Sequence, residues 1–214
     1  MDVGCGSGDL LAEIYRRNPN ITLWGLEGSR VGAQLSQDKT PSASVFALDL
    51  ATDVKEWPTE IRAISVDCLV LSEVLEHLDD PKDTLMKCSR FLTQDGLVVV
   101  TVPSGPLTTF DKAIGHRVHF TKSTLTELLS EAGFYEVNVV AAGFPFFNLY
   151  KLTVLLRGRK LLDDIAQFNE GRGKLARTVM QLFDLFLRAT PLSGRIGWQL
   201  IATARPKITL TSGA

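Results

Sequence analysis

Short runs of bulky apolar and β-branched residues alternate along this chain with segments of helical period. Runs at residues 22–26, 44–48, 67–71, 97–102 and 137–142 each lie between turn residues or charges, and a sixth follows at 198–204. Between them, Leu10, Leu11, Ile14 and Tyr15 make one apolar helical face that ends at Asn18-Pro19, because the residue before a proline is pushed out of helical geometry. Asp80 is placed to cap a second helix, with Pro81 at its first position; Leu85, Cys88 and Leu92 form its buried face and Gly96 its stop. Thr121 caps a third, stapled by Phe120 and Leu125 and buried through Leu125, Leu128, Leu129 and Ala132 up to Gly133. Strand and helix signals in alternation predict an α/β fold with a doubly wound, Rossmann-like parallel sheet.

The rhythm breaks after Gly143. Two further helices are expected at residues 148–156 and 175–187, separated by a polar stretch at 169–173. The predicted organisation is an α/β core over residues 1–142, a helical insert over 143–197, a last core strand over 198–206 and a tail over 207–214.

Composition changes this picture little. The chain has 214 residues, of which 45% are hydrophobic and 22% charged, as in an ordinary globular protein. No apolar run reaches the roughly 18–20 residues needed to span a bilayer, and the first residues lack the pattern of a secretion signal. Cys5, Cys68 and Cys88 lie far apart without metal-ligand spacing, so reduced thiols, a cytoplasmic location and no metal site are expected. Charge is more informative. Residues 1–144 carry 12 basic against 20 acidic side chains, a net of −8, whereas residues 145–214 carry 11 against 4, a net of +7. Two readings stay open: the basic part faces something anionic, or it neutralises the acidic part.

The chemistry concentrates at Asp2-Val3-Gly4-Cys5-Gly6-Ser7-Gly8. Three alternating glycines between a strand and a helix let the backbone approach a ligand and leave the first helical N–H groups free to bind it. Glu27 closes the next strand, where a carboxylate can accept both hydroxyls of a ribose. Together they describe a nucleoside pocket at the carboxyl ends of adjacent strands. The glycine spacing differs from the nicotinamide fingerprint, whose third glycine follows three residues after the second.

These residues resemble the first motif and the ribose-binding acid of the class I S-adenosylmethionine-dependent methyltransferases. Ala47-Leu48-Asp49-Leu50 is similar to their third-strand motif, and residues 70–78, Val-Leu-Ser-Glu-Val-Leu-Glu-His-Leu, resemble the fourth-strand motif of small-molecule members, ubiquinone-pathway O-methyltransferases among them. The segment from Gly115 through His116 and His119 to Phe120 is also similar to that subgroup. The resemblance implies a seven-stranded, mostly parallel sheet whose last strand is antiparallel. It implies S-adenosyl-L-methionine as cofactor: the methionine end on Asp2, Gly4, Gly6 and Gly8, the ribose on Glu27, the adenine on Asp49 and Leu50, and Ser72 near the sulfonium. Only Met1, Asp2 and Val3 precede the glycines, so the first strand is expected to be truncated and poorly hydrogen-bonded, which puts the activity of this exact chain in question.

Methyl transfer needs positioning first, and a base only where the acceptor must lose a proton. His77, His116 and His119 are the candidate bases, His119 first because it lies in a loop before a helix on the expected substrate side, where it also reads as a capping or loop-anchoring residue. His77 also reads as packing against the sheet edge, Glu73 and Glu76 as pocket-shaping residues, Glu76 equally as a solvated helix charge, and Cys5 receives no role. The expected acceptor is a small or lipid-linked molecule methylated on oxygen or nitrogen. Aromatic and basic residues at 144–160 read either as a lid or as a peripheral membrane contact, with no nucleic-acid module in sight. A nicotinamide-dependent oxidoreductase and a non-catalytic module of the same fold are the alternatives.

Overall fold

A computed structural model of the chain describes residues 1–157 and 196–207. The expected helix at 175–187, the polar stretch at 169–173 and nearly all of the tail lie outside the described residues. Among the described residues, seven strands form one sheet in the order β3-β2-β1-β4-β5-β7-β6. They are β1 (Asp2–Val3), β2 (Trp24–Glu27), β3 (Ser44–Ala47), β4 (Val66–Ser72), β5 (Leu92–Pro103), β6 (Phe134–Ala142) and β7 (Gln199–Pro206). β7 runs antiparallel to both β5 and β6, and the other pairings are parallel. The doubly wound sheet with an antiparallel last strand is therefore as expected.

The first strand departs from expectation in an instructive way. It has two residues, yet it is bonded on both sides, Asp2 and Val3 pairing with Gly25 and Leu26 and with Val70 and Leu71. The amides of Gly4 and Cys5 both donate to the Leu26 carbonyl, at 2.7 and 3.1 Å, and the Met1 carbonyl accepts from Val70 at 2.8 Å. Residues flanking so short a strand complete its ladder.

Helices flank the sheet: α1 (Asp9–Arg17), α2 (Arg30–Lys39), α3 (Thr59–Arg62), α4 (Pro81–Ser89), α5 (Thr109–Ala113), α6 (Lys122–Glu131) and α7 (Phe146–Arg157). The Asp80 side chain caps α4 through the Asp83 amide, and Thr121 caps α6 in a reciprocal capping box with Thr124. Helix α4 stops at Ser89 rather than at Gly96. Leu92 instead opens β5 by pairing with Val66, and the register shifts between Val66 and Cys68. Helical spacing placed Leu92 on the α4 face, but the strand pairing takes it.

One core fills the sheet face covered by α4 and α6, with Leu69, Leu71, Val98, Val100, Leu85, Leu125 and Leu129 all fully buried. A smaller one, Cys5, Leu11, Leu23 and Ala43, lies where α1 and α2 meet the other side. The two helices meet at Gly8, whose φ is +78°. A Cβ there would stand 2.4 Å from Ser36 Oγ and 2.8 Å from Ser36 Cα, so this glycine is required by helix packing as well as by its left-handed backbone. Gly8→Ala is expected to cost about 2–4 kcal/mol in chemical denaturation, the sum of left-handed strain and overpacking. A loss under about 1 kcal/mol would show that α2 withdraws freely.

Candidate functional site

The carboxyl ends of β1, β2, β3 and β4 open into a cavity of about 500 Å³. Gly4, Glu27, Gly28, Leu48, Asp49, Leu50, Val74 and His77 line it. Its position is dictated by topology, since strand order reverses between β1 and β4 and the loops diverge there. Four of the expected cofactor-binding residues, Gly4, Glu27, Asp49 and Leu50, stand in its wall, as do Glu73 and His77. Asp2, Gly6, Gly8 and Ser72 do not line it and adjoin it through the loop and the strand ends.

Glu27 ties the cavity to the glycine loop. Its Oε2 accepts the Gly6 amide and its Oε1 the Ser29 amide, both at 2.9 Å, so a carboxylate oxygen retains acceptor capacity for a further donor. Gly6 has φ +53° and nothing within 4 Å of where a Cβ would stand, which leaves the loop's outer face open. Asp49 Oδ1 accepts from the Ala51 amide at 2.9 Å, shaping the turn that carries Leu50 to the wall. Ser72 at the end of β4 donates to Thr101 Oγ1 at 3.0 Å, and Thr101 in turn donates to Glu73 at 2.9 Å. The Gln199 side-chain amide donates to that same Glu73 oxygen, and Glu73 itself has φ +57°, rare outside glycine.

The histidines form a second centre next to this cavity. The ring of His77 meets that of His116 edge-on, with centroids 4.8 Å apart, and His116 Nδ1 lies 3.2 Å from His119 Nε2. His119 Nδ1 faces the Gly105 carbonyl at 3.2 Å. A carbonyl only accepts, so His119 carries its proton on Nδ1 and His116 donates through its own Nδ1. Of the three, only His77 lines the cavity. Burial lowers both neighbouring imidazoles, and it pushes His116 down to about 4, helped by His77.

Two buried charges that sequence reasoning missed stand beside them. Lys151 of α7 donates to Asp111 of α5 at 2.8 Å, the two being 9% and 1% exposed. Burial pushes the Asp111 carboxyl up, but Lys151 and the Thr108 amide outweigh it and hold it below its usual range. The available signal was Lys151 itself, the one charge in an apolar run from Phe146 to Leu156. Glu76, read as a pocket-shaping or solvated residue, is 0% exposed, and burial together with the neighbouring Glu73 raises it to about 8.

A family model described as Methyltransferase domain matches residues 1–139. The chain belongs to this methyltransferase family. It is 30% identical over 146 residues to a probable S-adenosylmethionine-dependent methyltransferase of Mycolicibacterium smegmatis, covering 63% of this chain and 51% of the relative. It is 28% identical over 105 residues to a ubiquinone biosynthesis O-methyltransferase of Paracidovorax citrulli, covering 46% of this chain and 40% of that protein. The chain spans about a third to a half of the length of the curated relatives it matches. Among solved structures, the plantazolicin methyltransferase BpumL in complex with a triazolic desmethylPZN analogue and S-adenosylhomocysteine (SAH) superposes with a TM-score of 0.60 at 13% identity, over 97% of this chain and 76% of that one. At that identity the likeness is one of fold. The family assignment displaces the nicotinamide alternative.

In this methyltransferase domain Asp2 is 3% exposed, and burial raises its carboxyl to about 6. The folded chain thus holds this proton more tightly than the unfolded one, whose aspartate titrates near pH 3.9. The stabilisation it gives is complete below about pH 4 and is lost as pH rises through about 6. Asp2→Asn removes that dependence. Measured by denaturant unfolding, the variant is expected to gain about 3 kcal/mol on the parent between pH 4 and pH 8. A difference that stays flat across that range would mean Asp2 ionises as in water.

Proposed function

We propose that this domain transfers a methyl group from S-adenosyl-L-methionine to an oxygen or nitrogen of a small or lipid-linked acceptor. The observation that carries the reading is the Gly6–Glu27 contact at the rim of the cavity, with the glycine turn open on its outer face. That combination suits an adenosyl ligand: exposed backbone amides for its amino-acid end and a carboxylate with spare lone pairs for ribose hydroxyls. Bound S-adenosylmethionine supplies a methyl group already activated by a sulfonium.

The chain's own residues then hold the cofactor and receive the acceptor. Asp2 with Gly4, Gly6 and Gly8 holds the methionine end, and Glu27 the ribose. Asp49 and Leu50 flank the adenine, while Ser72, fixed through Thr101 and Glu73, borders the reacting end. The acceptor enters on the side of His77, and a hydroxyl's proton leaves toward the His116–His119 pair. Positioning supplies most of the rate in such a transfer. Residues 144–157 form the adjoining wall of the acceptor side, read as a lid whose apolar residues Phe144, Leu149 and Leu152 are exposed and offer a surface for a lipid-linked acceptor.

Calorimetric titration with S-adenosylhomocysteine tests the reading. Glu27→Ala is expected to weaken its affinity by about 10- to 100-fold, corresponding to the roughly 1.5–3 kcal/mol of a hydrogen bond to a charged group. Unchanged affinity would take Glu27 out of the site, and absence of binding by the parent chain would overturn the cofactor assignment.

A further inference from the structure

We infer that Glu76, His77 and His116 form a binding site for one divalent first-row transition-metal ion at the edge of the cavity. One ligand atom from each lies within 4.8 Å of the other two, and two imidazoles with one carboxylate are a donor set suited to zinc, iron, cobalt or manganese. The residues come from two segments, the turn after β4 and the loop after α5, so no spacing motif in the sequence advertises them. His77 belongs both to this triad and to the cavity wall, which places the ion in reach of whatever enters beside it.

The second observation is Glu76. Its side chain is fully buried, and neither carboxylate oxygen has a hydrogen-bond partner, whereas nearly all buried polar atoms have one. Among the described residues the only other such atom is Thr40 Oγ1. A carboxylate sealed from water and left unpaired beside two imidazoles is costly in the ion-free chain and well satisfied as a metal ligand.

The tautomer agrees. His116 spends its Nδ1 proton on His119, which spends its own on the Gly105 carbonyl. His116 Nε2 is thereby left as a bare lone pair. Ligating histidines are held in this way, the non-ligating nitrogen donating to an outer partner that fixes the ring. In this arrangement His116 is a ligand and His119 a positioning residue. A second triad, Asp111, His116 and His119, shares His116, but its chemistry is already spent. Lys151 neutralises Asp111, and the two histidine nitrogens face each other. With an ion at the first triad His116 Nε2 would hold the metal rather than act as a base, and the ion would itself lower the pKa of an oxygen acceptor docked on it.

The test uses the full chain stripped with a chelator, titrated with zinc chloride by calorimetry and with cobalt chloride by visible absorption. One equivalent is expected to bind, with cobalt bands of nitrogen and oxygen ligation. Glu76→Gln and His77→Gln are each expected to weaken zinc at least about 100-fold, beyond the about 10- to 100-fold typical of outer partners such as His119. His77 is exposed, so its variant keeps the fold even where the Glu76 variant does not. Absence of stoichiometric binding overturns the proposal, as does unchanged affinity in the His77 variant. Binding that survives in Glu76→Gln but vanishes in His119→Gln assigns the ion to the other triad and overturns it equally. S-adenosylhomocysteine titrated into the same stripped protein reads the cofactor site separately: its binding without zinc binding defeats the ion alone, and zinc binding without it defeats the cofactor reading alone.

Discussion

The structure turns on one contact, the Glu27 carboxylate receiving the amide of Gly6. It joins the end of β2 to the turn after β1 and fixes the loop in a shape that only glycines tolerate, with φ of +74°, +53° and +78° at Gly4, Gly6 and Gly8. The three serve different ends. A Cβ on Gly4 would stand 2.6 Å from Val74 Cγ2, and one on Gly8 would strike Ser36, so these two let neighbouring elements close in. Gly6 alone faces open space. The loop is therefore packed from behind on both flanks and bare in the middle, as a backbone that must meet a ligand has to be.

Much of this was legible in the sequence because it rests on local chemistry. Asp80-Pro81 and Thr121 start helices where their side chains can cap them, and alternating apolar runs give the strands to within one or two residues at β3 and β7. Glu27 and Asp49 were legible for the same reason, each sitting at the carboxyl end of a strand that its own pattern reveals. β5 was not. Leu92 fits a helical face by period, and only its pairing with Val66 across the sheet makes it strand. The poor bonding expected of β1 failed similarly, because the count of strand residues omits the amides of Gly4 and Cys5 that finish the ladder. Buried Glu76 and the Lys151–Asp111 pair lay further out of reach, since burial of a charge is a property of the tertiary fold and leaves no period in the sequence.

Family and fold bear unequally on the two halves of the site. The proposed cofactor half is built from β1, β2 and β3 and their loops, and its residue types fit what an adenosyl group can accept and donate. The proposed acceptor half is built from the turn after β4 and the loop around α5, which the family model also spans, and from helix α7, which lies beyond it; one fold accommodates many chemistries there. That side carries the histidine and carboxylate cluster at residues 76–77, 111 and 116–119, clamped by a lysine from α7. Specificity is to be sought there.

The same lysine bears on the charge asymmetry. A basic segment behind an acidic domain reads equally as a membrane-facing surface or as an internal counter-charge. Lys151 points inward to Asp111, and Arg205 of β7 meets Glu136 at 3.3 Å and the Asp95 carbonyl at 2.7 Å. Among the described residues, the two cations after residue 144 found in ion pairs thus answer acidic residues before it, which favours neutralisation for this part of the segment. The two pairs differ in consequence. Arg205 and Glu136 are exposed, and such a pair contributes at most about 1 kcal/mol. Removing Lys151 would leave Asp111 buried and uncompensated beside two imidazoles, a loss of about 3–5 kcal/mol for a pair of that kind. The Lys151–Asp111 bond therefore fastens α7, with its exposed Leu149 and Leu152, directly to the histidine cluster.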